Sequence, residues 1–305
     1  MRKAECCKQK AKTSYLIPKT MTTNILGIDL GGTHVRAGIV SEGHLANIVS
    51  ERIPASGSVD VVLEVIYRLI DPLIKVNIKA IGVGVPSVVD IEKGIVYDVQ
   101  NIPSWKVVEL KKLMEERYHL PVLINNDANC FALGEKYFGK GQKAHSLIGL
   151  TIGTGMGAGI IINDKLYPGL NTGAGEFGNV DYLDKYYEYY ASGQFFENCY
   201  HTNGEVVFQK AQSGDPLSIM ILEELGTHIG NAIKMILYTY CPGLIILGGS
   251  ISKSYSFFQN TMWDRIRTYV YSNTLEHFHL EISELENGGV LGAAALYYDQ
   301  QPSRT

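Results

Sequence analysis

Two stretches of the chain set small residues between strand-like flanks in a way that suits anion binding: GIDLGGTHVRAG at residues 27–38 and GLTIGTGMGAG at residues 149–159. Glycine carries no Cβ, so backbone N–H groups at such turns can approach phosphate oxygens closely. The stretches register on each other at one offset, Gly27 on Gly149, Asp29 on Thr151 and Gly31 on Gly153, the mark of a duplicated unit. Between them lies INNDANCFALGE, where Asn126 and Asp127 fall at the passage from a strand into a helix. Phosphoryl transfer needs the γ-phosphate held, its charge neutralised, and the attacking hydroxyl aligned and relieved of its proton. The two turns offer phosphate-facing amides, Asp29 a carboxylate for Mg²⁺, and Asp127 a general base. Magnesium keeps several waters and needs no carboxylate cage, so one protein carboxylate suffices. Plainer roles exist: Asp29 as a turn cap, Asp127 as a helix N-cap. The repeated register favours metal and phosphate work for Asp29, and the adjacent Asn126 favours a site at Asp127.

With these motifs the chain resembles the ROK sugar kinases (repressors, open reading frames, kinases), within the actin, hexokinase and heat-shock ATPase superfamily, over roughly residues 24–298. The resemblance implies an α/β, two-lobed actin-like ATPase (ribonuclease H-like) fold, with a duplicated βαβ core and an interdomain cleft. It puts a magnesium-associated carboxylate, acting through water, at Asp29 and phosphate contacts at Gly31, Gly32, Thr33, Gly153, Thr154 and Gly155. It places Gly248 and Gly249, in CPGLIILGGS (241–250), in the segment that closes on adenosine. Asn126 matches the family's sugar-binding Asn and Asp127 its catalytic Asp. GAGEFGNV (173–180) and YEYYASG (187–193) put Glu176 and Glu188 on its sugar-hydroxyl ligands, and Asn101 in NIPSW falls in a loop near the sugar, with Trp105 as apt for packing. The implied cofactors are ATP and Mg²⁺. The implied reaction is transfer of the γ-phosphate to a sugar hydroxyl, the 6-hydroxyl of glucose or a related hexose. N-acetylmannosamine or N-acetylglucosamine is the alternative acceptor, and a non-catalytic sugar sensor the alternative class. Repressors of this family need several tens of residues for a winged helix-turn-helix ahead of the first glycine turn; 26 precede Gly27, which points to the kinase branch. The family's habit of assembly implies a homodimer.

One departure concerns metal. The family usually carries a His after the Glu-x-Gly step and nearby cysteines, together a structural zinc site. Here Asn179 stands in the His position, and VDYLDKYYEYYASG contains no cysteine. A closed zinc site wants four N or S ligands, and Cys6, Cys7, Cys130, Cys199 and Cys241 show no such spacing. No structural zinc is expected. Tyr182, Tyr186, Tyr187, Tyr189 and Tyr190 are expected to pack this loop by aromatic contact instead. Asn179 can still hydrogen-bond a sugar hydroxyl, though not as the family His would.

Composition narrows the class. At 305 residues and 46% hydrophobic, the chain can bury cores for two domains. A net charge of −4 gives no footprint for duplex DNA, no apolar run reaches the length of a membrane span, and unpaired cysteines fit a reducing cytoplasm. Residues 1–21 are basic and polar and read as a disordered extension, with Met21 as the expected start of the folded chain. The expected division is an N-terminal α/β lobe of 22–124 plus 293–305 and a C-terminal lobe of 125–292. The pattern predicts strands over 24–30, 80–86, 120–124 and 244–249, helices over 59–76, 106–118 and 215–240, a hairpin tipped by Asn163-Asp164, and a small-residue closing helix in GGVLGAAALYYD.

Overall fold

The computed structural model describes residues 23–74, 77–99 and 101–301. The tail read as a disordered extension lies outside those residues, as do 302–305. Two five-stranded sheets carry the fold. The first contains β1 (Asn24–Leu30), β2 (His34–Ser41), β3 (His44–Arg52), β4 (Ile78–Val85) and β5 (Val122–Asn126), in the order β3-β2-β1-β4-β5. The second contains β6 (Leu147–Ile152), β7 (Met156–Ile162), β8 (Lys165–Leu166), β9 (Leu244–Gly248) and β10 (His279–Ile282), in the order β8-β7-β6-β9-β10. In each, three strands form an antiparallel meander and two more run parallel to the first. The duplication read from two glycine motifs therefore extends to whole-sheet topology. The turns are not identical: Leu30 pairs with Val35 across Gly31, Gly32, Thr33 and His34, whereas Ile152 pairs with Met156 across Gly153, Thr154 and Gly155 only.

The helices follow local signals. Helix α1 (Val59–Ile70) starts at Ser58, whose side chain accepts from the Val61 N–H, and stops short of Pro72, which cannot supply a helical N–H. Helix α2 (Leu110–Tyr118) begins later than the charge pattern suggests, because Val107 and Val108 pair as a short strand with Tyr97 and Val96. Helix α3 (Asp127–Phe138) follows β5 directly. In the second half come the short α4 (Tyr187–Ala191) and α5 (Gln194–Tyr200), then α6 (Gly204–Gln212) and α7 (Pro216–Tyr240). Asp215 caps α7 on the Ser218 N–H, and Cys241 ends it in the left-handed region. Helix α8 (Tyr255–Ile266) and the single turn α9 (Ser272–Leu275) precede β10, and α10 (Gly288–Asp299) closes the chain. The Asn163-Asp164 hairpin forms as its sequence predicts, with both tip residues at positive φ between Ile162 and Lys165.

Three apolar cores result. One lies under the first sheet and includes Trp105 and Met114. A second joins the other sheet to α7 and α8. The third sits between the sheets, where Cys130 and Leu133 of α3 meet Ala293, Ala294 and Leu296 of α10. Here glycine is a matter of space: a Cβ on Gly292 would collide with the Cys130 carbonyl, and one on Gly134 would come within 2.9 Å of the Gly288 carbonyl. The two helices thus cross backbone against backbone.

Candidate active site

Both glycine turns and the start of α3 open onto one cleft of about 690 Å³ between the sheets. Of the residues singled out in the sequence, Gly32, Asn126, Asp127, Gly153, Thr154, Gly155, Glu176, Asn179 and Glu188 line it. The first half of the chain adds Ser87, Tyr97 and Asp98, which no motif marked.

Strand β5 delivers the central pair. Asn126, the last strand residue, caps α3: its Oδ1 accepts from the Ala128 N–H at 2.8 Å and its Nδ2 donates to the Ser87 carbonyl at 3.3 Å. The capping role open to Asp127 thus falls to Asn126, leaving Asp127 in the first helical turn. One Asp127 carboxylate oxygen accepts from the Ala128 N–H at 2.8 Å. The carboxylate is enclosed by protein on its flanks and open to the cleft. Desolvation, with the charge of Asp29 and then Glu176, pushes its pKa up to about 7, against the lowering pull of the Ala128 and Asp127 N–H groups. Such a carboxyl is divided between acid and base near neutrality, which suits proton transfer.

Asp29 lies behind the cleft wall. The missing Cβ of Gly289 makes room for its carboxylate against the first turn of α10, 2.6 Å from where that atom would stand. Burial raises its pKa, opposed by the charge of Arg36, its cross-strand neighbour on β2. The charge of Asp29 adds to the cost of ionising Asp127, and two such carboxyls fit a hard cation with oxygen ligands.

The second turn is tied into the protein by several bonds. Gly193 donates its N–H to the Gly153 carbonyl at 2.7 Å. The buried Ser192 hydroxyl lies 3.0 Å from the Thr154 carbonyl and 2.7 Å from that of Glu188. Glu188 Oε2 accepts the Met156 N–H at 2.8 Å, and its Oε1 accepts from Gln194 Nε2 at 2.6 Å. In the neighbouring segment Glu176 Oε2 accepts from Asn179 Nδ2 at 2.9 Å, while burial, with Glu188 nearby, raises the Glu176 pKa. Asn179 thus spends an amide hydrogen on a protein carboxylate and presents the rest of its amide to the cleft.

Other expected residues lie differently. Gly31 donates to the His34 carbonyl at 2.9 Å, closing its turn, and Thr33 opens with Gly32 onto a side groove beside Arg52. Asn101, at φ 65°, packs its side chain over Gly32 at the rim. Trp105 is fully buried and serves the first core. The missing Cβ of Gly248 admits the Phe131 ring, and Gly249, at φ 83°, turns the chain against Ile152. The adjacent cavity of about 460 Å³ takes its lining instead from the next residues, Ser250 and Ile251, with Gly153, Thr154, Gln194, Phe196 and Phe208. No sequence motif marked Ile251, Gln194, Phe196 or Phe208.

The tyrosine-rich loop is held by aromatic and polar contacts. Tyr182 stacks on Tyr187 at 4.3 Å and meets Tyr190 edge-on. Asn231 Nδ2 donates to the Tyr182 hydroxyl at 2.8 Å, and that hydroxyl lies 3.1 Å from His228 Nδ1. His228 Nε2 lies 3.7 Å from Glu224 Oε1, the arrangement in which Nε2 carries the hydrogen and Nδ1 accepts from the Tyr182 O–H, and burial lowers the His228 pKa. Among the described residues no group of three or more His, Cys, Asp or Glu is placed to hold a metal ion, and no helix is long and apolar enough to cross a membrane.

Comparison with known proteins agrees with this architecture. The model of the ROK family matches residues 25–300. A glucokinase of Thermotoga maritima is 26% identical, over 89% of this chain and 96% of its own. A xylose repressor of Bacillus subtilis is 29% identical, over 79% of this chain and 67% of its own. Among solved structures, a ROK family glucokinase from Streptomyces griseus, in complex with glucose and AMPPNP, superposes with a TM-score of 0.76 at 27% identity, covering 90% of this chain and 98% of that one.

Proposed function

The chain belongs to the ROK family and has its actin-like ATPase fold, and from that premise we propose that it is an ATP-dependent hexose kinase acting on the 6-hydroxyl of glucose or a closely related sugar. The observation that carries the reading is the place of Asp127: a cleft-facing carboxylate set between two glycine turns, next to Asn126 and backed by the half-buried Asp29, in surroundings that push its pKa up to about 7. The sugar occupies the cleft against Asn126, Glu176, Asn179 and Glu188, with Asn101 at the rim. Asp127 takes the hydroxyl proton as the oxygen attacks the γ-phosphate, and ADP leaves. N–H groups of Gly32 and Thr33 in the first turn and of Thr154 and Gly155 in the second hold the phosphates, those of Gly31 and Gly153 being spent within their own turns. The adenosine half fits the adjacent cavity, whose Phe196, Phe208 and Ile251 offer apolar surface to a flat base. Asp29 would hold Mg²⁺ through water, and the ion would neutralise phosphate charge. Closure of the lobes excludes water, which competes with the sugar as nucleophile. The lobe division we propose is 22–124 with 293–305, and 125–292; we further propose a cytoplasmic homodimer.

An N-acetylhexosamine acceptor is the second reading, favoured by Asn179, whose amide replaces the family His beside the sugar ligands. The test is a coupled assay of ADP release with MgATP and a panel of glucose, fructose, allose, N-acetylglucosamine and N-acetylmannosamine. Sugar-dependent ADP release with glucose or a related hexose supports the first reading, and release confined to the acetylated sugars supports the second. Absence of release with every sugar overturns both.

A further inference from the structure

Gln194 belongs to two places at once. Its Nε2 donates to Glu188 Oε1 at 2.6 Å, and Glu188 lines the main cleft. Its side chain also lines the adjacent cavity with Gly153, Thr154 and Ile251. The backbone around it is anchored to the second glycine turn: the neighbouring Gly193 N–H bonds the Gly153 carbonyl, and the Gln194 N–H bonds Ser192 Oγ at 3.1 Å. Glu188's other oxygen is fixed by the Met156 N–H, the first amide after that turn. One carboxylate oxygen is therefore held by rigid backbone and the other by a half-buried, rotatable amide facing the second cavity.

We infer that Gln194 is a positioning residue that makes sugar affinity depend on occupancy of the second cavity. Without a nucleotide, the Gln194 side chain has room to exchange between the rotamer that bonds Glu188 and others that turn into the cavity. A nucleotide filling the cavity confines Gln194 to the rotamer that bonds Glu188, so the carboxylate meets the sugar already oriented. Binding energy at one cavity thereby reduces the ordering cost at the other. Linkage makes the effect reciprocal: sugar must tighten nucleotide by the same factor. The inference rests on the kinase reading, in which Glu188 is a sugar ligand.

The test compares wild type with Gln194→Met, which keeps length and loses the donor. Titrations of glucose, N-acetylglucosamine and N-acetylmannosamine, with and without saturating MgADP, read the coupling, and steady-state kinetics read kcat and KM. The expected result is a wild-type sugar Kd tightened about 5-fold or more by MgADP, a coupling below about 2-fold in Gln194→Met, and a sugar KM raised about 10-fold with kcat little changed. A double-mutant cycle on thermal stability with Glu188→Gln reads the Gln194–Glu188 bond without any sugar, and interaction between the two positions is expected. A wild type that phosphorylates a sugar but shows no coupling, or a Gln194→Met enzyme with unchanged KM and coupling, overturns the inference and leaves the kinase reading standing. A wild type that phosphorylates none of the five sugars of the ADP-release panel, while the cycle still shows the bond, brings down the kinase reading and this inference with it.

Discussion

The two glycine turns occupy equivalent places in two sheets of the same topology, yet they are built differently. The first carries the carboxylate of Asp29 beneath it and closes chiefly on itself, through the Gly31 N–H to the His34 carbonyl. The second has neutral Thr151 at the matching position, is one residue shorter, and is bonded to Gly193, Ser192 and Glu188. The same backbone is present twice with its features divided: the half-buried charge sits beneath the first copy, and the mechanical connection to Glu188 and Ser192 is on the second.

That division can be broken by substitution. The largest effect is expected at Asp127, the group both copies face. Asp127→Asn should lower kcat by at least about 10²-fold while sugar and nucleotide still bind by calorimetry, and more than a tenth of wild-type turnover remaining would remove it as the base. Next comes the direct contrast between copies: Asp29→Asn should cost about 10²-fold in kcat and weaken the Mg²⁺ dependence, whereas Thr151→Val should cost less than about 10-fold. Equal losses would show that the copies share the charge work.

The pH dependence sharpens the same contrast. With Asp127 titrating near 7, kcat/KM should rise with pH up to about 7 and then level. Because the charge of Asp29 helps hold that value up, Asp29→Asn should move the limb of the residual activity to lower pH. An unmoved limb would separate the two carboxylates electrostatically. Stability carries the opposite sign. Folded Asp127 keeps its proton up to about pH 7, whereas an unfolded chain releases it near pH 3.9. Its contribution is therefore fullest below about 4 and is lost as pH rises to 7. Asp127→Asn should melt higher than wild type above pH 7, and the gap should close toward pH 4.

The smallest effect expected is at the prop behind the second turn. Tyr182→Phe strands the Asn231 donor and the His228 acceptor, a loss of about 1–3 kcal/mol, visible as a melting point lowered by several degrees. EDTA should leave the wild-type melt unchanged, and a chelator-sensitive melt with about one zinc per chain would mean a metal shares the task.

Much of this arrangement could be read from residues because it depends on local backbone. The register of Gly27 on Gly149 marks the duplicated sheets, the apolar pattern over 215–240 finds the long α7, and Asn163-Asp164 fixes its hairpin, whereas the helix expected over 59–76 ends at Ile70, before Pro72. What escaped depends on long-range placement. Ser87, Tyr97 and Asp98 reach the cleft only because a small sheet folds over it, and Gln194 gains its meaning from Glu188 in the preceding helix and from a cavity formed with Gly153 and Thr154 well before it in the chain and Ser250 and Ile251 well after it. Val107 and Val108 fit a helix by pattern and became a strand because Val96 and Tyr97 offered an edge. Asn126 and Asp127 both reach the Ala128 amide, and Asn126 is the cap because its backbone is still extended and its Oδ1 also reaches the Asn129 N–H.

The crossing of α3 and α10 bears on how such a molecule can change. Where Gly292 meets the Cys130 carbonyl there is no volume for even a methyl group, so this contact admits neither drift nor conservative exchange. Surface loops around the cleft can vary and alter which sugar is accepted, but halves taken from two relatives can be joined only if the helix pair travels together. The natural unit of recombination in this chain is therefore the pair of crossing helices with its glycines, and a chimaera cut between them should fail to assemble however well each half is made.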